Sequence, residues 1–97
     1  MRRITFHEDA EAEMTEAARY YESRATGLGH AFLDEVDRAA MAVAEKPEAF
    51  QLVAREIRHK LLARFPYSLF YVVEPNRIRV LAVAHHKRRP EYWVRRV

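Results

Sequence analysis

Residues 67–85, YSLFYVVEPNRIRVLAVAH, contain two apolar runs separated by a turn sequence. The first run, residues 67–74, is apolar on both faces of a strand, which is typical of a central strand that is covered on both sides. Pro75 presets a φ that suits a turn, and Asn76 tolerates the position that follows it. Residues 78–85 are therefore expected to return antiparallel to the first run, as the second strand of a β-hairpin.

Upstream of this hairpin, residues 55–65 alternate with a period of two, which predicts another strand. One face of it is apolar and the other is mostly basic, with Arg58, Lys60 and Arg64 at even spacing. Three cations cannot pack together in a core, so we expect them to line an open surface where guanidinium groups could hold phosphate oxygens. The alternative is a solvated edge strand whose charges prevent aggregation.

The first half of the chain predicts one strand and two helices. Residues 3–7 alternate as a short strand, and residues 8–25 place apolar side chains three and four positions apart, as in an amphipathic helix. A second helix begins at Leu28 and is ended by Pro47, and the short connection predicts an antiparallel helical hairpin. Residues 46–54 are expected to form a loop.

The element order is then β-α-α-β-β-β, which predicts an α+β fold with a helical hairpin packed on a mainly antiparallel sheet of four strands. With 97 residues, of which 49% are hydrophobic, the chain suits a single domain, residues 1–97, with one modest core. Residues 86–97 are expected to form a short helical turn or an irregular tail.

The composition excludes several classes of protein. The chain has no cysteine, which removes disulfides and thiolate metal ligands and indicates a reducing cytoplasm. Neither a signal peptide nor an apolar run of transmembrane length is visible, so no membrane partner is expected.

Charge is divided unevenly along the chain. Residues 1–50 carry six Lys or Arg against eleven Asp or Glu, a net charge of −5, whereas residues 51–97 carry eleven against three, a net charge of +8. A basic half of this kind attracts phosphate polyanions or an acidic protein partner, although the plainer interpretation is solvation of a small surface.

The end of the last predicted strand carries five ionisable side chains in succession, His85, His86, Lys87, Arg88 and Arg89. Adjacent strand residues point to opposite faces, so at most one of the two histidines can face a given site. A histidine beside cations could move a proton near neutral pH, or it could only hydrogen-bond the backbone. The histidines lack metal-ligand spacing and the two glycines lack the context of a nucleotide loop, so neither a metal nor a cofactor is expected.

Apolar side chains of the predicted sheet suggest a protein partner. Leu62, Phe70 and Val72 are expected to lie on a face that is rimmed by arginines and poorly covered by a single helical hairpin. An acidic amphipathic segment of a partner could complete this face. Aromatic residues nearby, such as Tyr92 and Trp93, could stack on nucleic-acid bases, although large aromatics in a small domain mostly fill the core.

Several motifs together make the chain resemble a known family. They are RFPY at residues 64–67, VLAVAH at 80–85, RRP at 88–90, YW at 92–93, and a helical hairpin that contains YY at 20–21, GLG at 27–29, Phe32 and Pro47. Over nearly its whole length the sequence resembles the RelE/ParE superfamily of type II toxin–antitoxin toxins. The resemblance implies a small α+β toxin that a cognate antitoxin holds inactive.

Members of this superfamily divide by target: RelE-like toxins cut messenger RNA on the ribosome, and ParE-like toxins poison DNA gyrase by binding it. The lysine-rich cleavage cluster of the RelE-like ribonucleases is only partly present, as Lys60 and Lys87, and the long helical hairpin is closer to the ParE-like side. The resemblance therefore favours growth inhibition through a basic sheet face that binds gyrase. A metal-independent endoribonuclease and an inactive basic nucleic-acid-binding module are the alternatives.

The candidate site residues fall into three sets. Those for binding nucleic acid or the target are Arg58, Lys60, Arg64, Lys87, Arg88 and Arg89. Those for catalysis, if the chain is a ribonuclease, are Arg64, His85, Arg89 and Tyr92, with the cations stabilising charge on the phosphate and His85 or Tyr92 moving protons. Those for antitoxin binding are Leu62, Phe70 and Val72. The hypothesis requires cations from separate strands to converge in one concavity opposite the helices.

Overall fold

The computed structural model describes residues 2–89 and 91–97, and in this part of the chain it contains two α-helices, five strands and a final 3-10 helix. In chain order they are β1 (Arg3–Phe6), α1 (Glu8–Arg24), α2 (Leu28–Glu45), β2 (Leu52–Ala54), β3 (Ile57–Leu61), β4 (Tyr67–Val73), β5 (Arg77–His85) and the 3-10 helix (Val94–Arg96). The helical hairpin, the β4–β5 hairpin and the final helical turn lie where the sequence predicts them.

The five strands form one sheet in the order β1-β5-β4-β3-β2. β1 runs parallel to β5, with Phe6 opposite Val80, and the other neighbouring strands are antiparallel. The predicted α+β class and mainly antiparallel sheet are confirmed, but the prediction of four strands is wrong. Residues 52–54, expected in a loop, form the edge strand β2, which is too short to show a period in the sequence. β3 ends at Leu61, short of the expected residue 65.

The helical hairpin depends on a close approach between its two helices. Gly27 precedes α2 with a φ of 86°, in the left-handed region that favours glycine. The Glu22 carboxylate accepts hydrogen bonds from the backbone N–H groups of Gly27 and Gly29, at 2.9 and 3.0 Å. A Cβ on Gly29 would lie 2.5 Å from the carbonyl oxygen of Ala18. The turn therefore requires glycine at both positions, for two different reasons.

The larger core lies between the helices and one face of the sheet. α1 contributes small side chains there, Ala10 and Ala17, whereas α2 contributes Phe32 and Val36. The buried residues of the sheet in this core are Leu69, Tyr71, Ile78, Val80 and Val83. The Tyr71 hydroxyl donates a hydrogen bond of 2.6 Å to the carbonyl oxygen of Pro47, so its polar atom is satisfied inside the core.

The opposite face of the sheet carries a smaller cluster, which is covered by the C-terminal segment, residues 91–97. Trp93 from this segment is 4% exposed and packs among Ile57, Val72 and the end of β5. Phe70 pairs with Ala82 but Tyr71 pairs with Val80, so Leu81 forms a β-bulge. The bulge allows Leu81 and Ala82, although adjacent, to be buried in the same cluster.

The prediction that Leu62, Phe70 and Val72 share one open apolar face is wrong for Leu62, whereas Phe70 and Val72 do share the face opposite the helices. Leu62 lies beyond the end of β3 and is buried in the core on the helix side. Val72 is on the opposite face, where it is 3% exposed. Of the three, only Phe70 is partly accessible, because the C-terminal segment covers the cluster that the sequence leaves open.

Candidate functional site

A concavity of about 440 Å³ lies on the sheet face opposite the helices, between β3, β4 and the C-terminal segment. Its lining combines an apolar and aromatic floor with polar side chains, two arginines and one carboxylate: Phe70, Ala84, Tyr92, Trp93, His59, Ser68, His85, His86, Arg88, Arg89 and Glu91. Exposed apolar side chains, Val53 of β2 and Leu61 of β3, continue the floor to the edge of the sheet. The concavity is therefore an apolar surface bordered at one side by two arginines and one glutamate.

Three rings stack in a row along the floor. The centroids of Phe70 and Trp93 are 4.3 Å apart with 20° between the ring planes, and those of His59 and Phe70 are 5.8 Å apart with 30°. His59 lies on this face because it stands directly opposite Phe70 in the register of β3 and β4. Burial, and secondarily the nearby His86, lowers the pKa of His59, so its imidazole is neutral at neutral pH.

A hydroxyl and an imidazole are hydrogen-bonded inside the concavity. Ser68 Oγ lies 3.0 Å from His86 Nε2, and the backbone N–H of His86 donates to the carbonyl oxygen of Pro66 at 2.8 Å. His85, the histidine favoured from the sequence, also borders the concavity, so the prediction that only one of the two histidines can face a site is wrong. Its ring packs edge-on against the Tyr67 ring at 5.0 Å between centroids. Its Nδ1 accepts the backbone N–H of Lys87. The imidazole joined to a hydroxyl in the concavity is thus that of His86.

Tyr92, a second candidate for moving protons, has its hydroxyl turned toward α1. It donates a hydrogen bond of 2.8 Å to Glu13 Oε2. Burial, followed by this bond and the charge of Glu13, raises the pKa of Tyr92 far above its ordinary value. Tyr92 therefore stays protonated, and its proton is engaged with a carboxylate outside the concavity.

The predicted convergence of cations from separate strands in one concavity is wrong for β3. The register places Arg58 opposite Tyr71 and Lys60 opposite Leu69, both of which face the helices. Arg58 Nη1 donates to the carbonyl oxygens of Phe50, at 2.7 Å, and Glu48, at 3.3 Å. This side of β3 therefore anchors the loop before β2.

The two other predicted cations of this region also lie outside the concavity. Lys60 borders α2, with its Nζ 5.3 Å from the centroid of the Phe50 ring. Arg64 is exposed in the loop between β3 and β4, with its guanidinium carbon 5.7 Å from the centroid of the Phe65 ring. Phe65 belongs to the core on the helix side.

The cations at the concavity come from the end of β5. Arg88 and Arg89 are exposed and line it, and Lys87 is exposed beside them. The guanidinium carbon of Arg88 lies 4.1 Å from the centroid of the Tyr92 ring, and its Nη1 is 3.9 Å from Glu13 Oε2. We call Arg88 and Arg89 the basic rim. Pro90, part of the RRP motif, lies outside the described residues.

Sequence reasoning missed three residues of this region, His59, Ser68 and Glu13. The alternation of residues 55–65 places His59 on the apolar face, and a pairing of β3 with β4 would have brought it to the concavity. No local pattern indicates Glu13, because the groups it contacts lie 70 or more positions further along the chain.

Two further observations concern metal ligands and membrane-spanning helices in the described part of the chain. Within residues 2–89 and 91–97, no three His, Cys, Asp or Glu side chains are grouped so that they could hold a metal ion. No helix there combines the length and the apolar character needed to cross a membrane.

A helical hairpin on a mainly antiparallel sheet is the fold expected for the small α+β toxins that the sequence resembles. The family model described as ParE toxin of type II toxin-antitoxin system, parDE, matches residues 4–90, and the chain therefore belongs to this family. The suspected relationship to the RelE/ParE superfamily, with the ParE-like side favoured, is confirmed.

A solved structure supports the fold independently. The chain is similar to a structure titled "Chromosomal ParDE TA system from P. aeruginosa", with a TM-score of 0.64 and 16% sequence identity. The match covers 88% of this chain and 96% of the other. A comparison with curated proteins found no match.

Proposed function

We propose that this ParE-family toxin inhibits growth by binding DNA gyrase through the concavity and the basic rim, without catalysing a covalent step. Family membership supports the class of toxin. The observation that carries the mode of action is the combination of an apolar floor with Arg88 and Arg89 at its side.

This combination has the anatomy of a protein-binding surface. Interfaces concentrate binding energy in buried aromatic side chains and arginines, with a polar border that excludes water. Phe70 and Leu61 offer the apolar contact, and the two arginines offer charge to an acidic neighbour. The partner surface would be apolar at its centre and acidic at its border.

The positions of the candidate catalytic groups support binding over chemistry. Tyr92 keeps its proton and holds it against Glu13, and Arg64 is exposed outside the concavity. A phosphoryl-transfer site needs a proton carrier and several cations aimed at one phosphate. Of the cations predicted for such a site, only Arg88 and Arg89 line the concavity, beside the imidazoles of His59, His85 and His86.

A DNA supercoiling assay tests this proposal. The purified chain is expected to block supercoiling by gyrase, and changing both Arg88 and Arg89 to Ala should weaken the block by about tenfold or more. Arg19→Ala, an exposed arginine of α1, is the matched control and should behave as the wild type. Growth arrest with unimpaired supercoiling would refute gyrase as the target. Absence of growth arrest would favour an inactive nucleic-acid-binding module.

The hydrogen bond between Ser68 and His86 favours one second candidate, a metal-independent endoribonuclease. In that case the ribose 2′-oxygen would bond to the adjacent phosphorus as the bond from phosphorus to the 5′-oxygen breaks. His86 would accept the 2′-hydroxyl proton, water would protonate the leaving 5′-oxygen, and Arg89 would stabilise charge on the phosphate. Incubation of messenger RNA with the chain, with and without ribosomes, should then give site-selective cuts. His86→Ala and Arg89→Ala should slow cleavage, whereas Arg19→Ala should not. Intact RNA under both conditions excludes this candidate.

A cognate antitoxin is the partner that the ParDE family implies, and we propose that it covers the concavity. Of the predicted antitoxin-binding residues, Phe70 is partly accessible there, next to Leu61, which is 50% exposed. An acidic amphipathic segment would match the apolar floor and the basic rim. Leu61→Glu should therefore weaken rescue of growth by the antitoxin. Met41→Glu, at a site on α2 that is 68% exposed, should leave rescue unchanged.

A further inference from the structure

We propose that Glu13 is a positioning residue for the toxin. It lies outside the concavity, but it holds the C-terminal segment and Arg88 of the basic rim in place beside the concavity. The inference rests on the proposed role of the concavity as the binding surface. It concerns how that surface is assembled and does not depend on which target it binds.

The starting observation is an incomplete edge of the sheet. β1 pairs with residues 77–80 of β5 only, so the second half of β5 has no neighbouring strand on that side. Side chains take its place: Glu13 Oε1 accepts the backbone N–H of Val83 at 3.0 Å, and Arg96 Nη1 donates to the carbonyl oxygen of Leu81 at 2.9 Å. α1 and the C-terminal segment thus meet at this edge.

Both oxygens of the Glu13 carboxylate are used to hold the C-terminal segment. Arg96 Nη1 and Nη2 donate to Oε1 and Oε2 at 3.1 and 3.0 Å, a bidentate arrangement, and Tyr92 donates to Oε2 at 2.8 Å. The Glu13 and Arg96 side chains are each only 15% exposed. A bidentate pair of this geometry fixes orientation as well as distance, which a single contact does not.

The cluster of Glu13, Tyr92 and Arg96 is connected to the concavity through Arg88 and Trp93. Two guanidinium groups contact the Tyr92 ring, with the Arg88 carbon 4.1 Å and the Arg96 carbon 5.0 Å from its centroid. Arg88 borders both the concavity and the depression on the α1 side that contains Glu13. Trp93, the next residue after Tyr92, stacks on Phe70. Loss of the Glu13 carboxylate would therefore displace both Trp93 of the floor and Arg88 of the basic rim.

Glu13→Gln tests this role, because the amide keeps the size of the side chain but cannot accept both arginine nitrogens as a carboxylate does. Glu16→Gln is the matched control, because Glu16 is an exposed carboxylate on the same helix. Trp93 is the only tryptophan of the chain, so its emission and its quenching by acrylamide report directly on the C-terminal segment.

When Glu13→Gln is expressed at the same protein level as the wild type, the surviving fraction of cells is expected to be at least tenfold higher. Its far-ultraviolet circular dichroism should match the wild type, while Trp93 emission shifts to the red and becomes more accessible to acrylamide. Glu13→Asp, which retains the charge on a shorter side chain, should recover part of both effects. The same proteins in the supercoiling assay test the gyrase target separately.

Unchanged Trp93 quenching and unchanged growth arrest in Glu13→Gln would overturn the inference. Displacement of Trp93 with full growth arrest would also overturn it, because the position of the C-terminal segment would then not matter for growth arrest. If Glu13→Gln does not fold, Arg96→Lys, which keeps the charge but loses the bidentate fork, decides by the same two readouts. If gyrase is unaffected by the wild type but Glu13→Gln still loses growth arrest, the proposed target fails and the positioning role stands.

Discussion

The two faces of the sheet are built in different ways. The helix side buries large side chains such as Phe32, Leu69 and Tyr71 under two helices of 17 and 18 residues. The opposite face is covered only by the C-terminal segment, and beside it Phe70 and Leu61 stay accessible. The first face should therefore carry most of the free energy of unfolding, and the second face should carry most of the binding.

A second contrast concerns charge. Cations of β3 on the helix side are bound to the chain itself, as Arg58 is to the Phe50 carbonyl oxygen. Cations at the end of β5 stand at an open surface, as Arg89 does. Cations near the sheet therefore lie in two different environments. Only the three-dimensional neighbours of each residue show which environment it occupies.

The largest expected effect is on the helix side. Phe32→Ala removes a ring that is fully buried and contacts the rings of Tyr21, Phe65 and Tyr67. The free energy of unfolding should fall by about 3–5 kcal/mol, because the substitution removes apolar burial and also leaves a cavity. Urea denaturation followed by circular dichroism measures this. A loss below about 1 kcal/mol, the level of a tolerated volume-conserving change, would contradict the assignment of the main core.

Gly29→Ala should be the next most damaging of these substitutions, although it adds only one methyl group. The new Cβ would meet the Ala18 carbonyl oxygen, a backbone atom that cannot turn away, so the two helices must separate. Overpacking of this kind costs about 1–3 kcal/mol. The thermal midpoint of Gly29→Ala should lie below that of Ala25→Gly, a change in the same turn at an exposed position. Equal midpoints would show that the hairpin tolerates a wider spacing.

Trp93→Ala separates the two faces most directly. The expected loss in free energy of unfolding is about 1–2 kcal/mol, below the usual range for a buried aromatic, because the C-terminal segment can settle onto the sheet. Growth arrest, in contrast, should be lost, since Trp93 forms part of the floor of the concavity. Growth arrest that persists despite the measured destabilisation would contradict the division between a stabilising face and a binding face.

Much of the fold could be predicted because its elements are strongly periodic. The helix from residue 8, the turn at Pro75 and Asn76 and the return of residues 78–85 each carry a local signal that the structure confirms. β2 was missed because three residues at an edge show no period. The face assignment of Leu62 failed for another reason: β3 ends at Leu61, so Leu62 no longer follows the alternation of the strand.

The site was less predictable than the fold. The basic rim at residues 88–89 follows from the charge run, but the groups that complete the concavity come from the pairing of strands. His59 is brought to Phe70 by the β3–β4 register, and Ser68 is brought to His86 by the β4–β5 pairing. Glu13 reaches Arg96 across 83 positions of sequence. Contacts of this kind have no signature in one sequence.

The smallest expected effect is a dependence of stability on pH that arises from the open face. The pKa of His59 is lowered in the folded chain, mainly by burial and then by His86, so the unfolded chain binds the proton more tightly. Stability should therefore fall as the pH drops through the unfolded pKa of about 6.5 and continue to fall until the folded pKa is passed. Urea unfolding at pH 7.5 and 5.5 measures the difference, which should be smaller in His59→Gln. His30→Gln, exposed on α2, is the matched control. An equal loss on acidification in wild type and His59→Gln would show that His59 is not desolvated against Phe70, and that the concavity is more open than its stacked rings indicate.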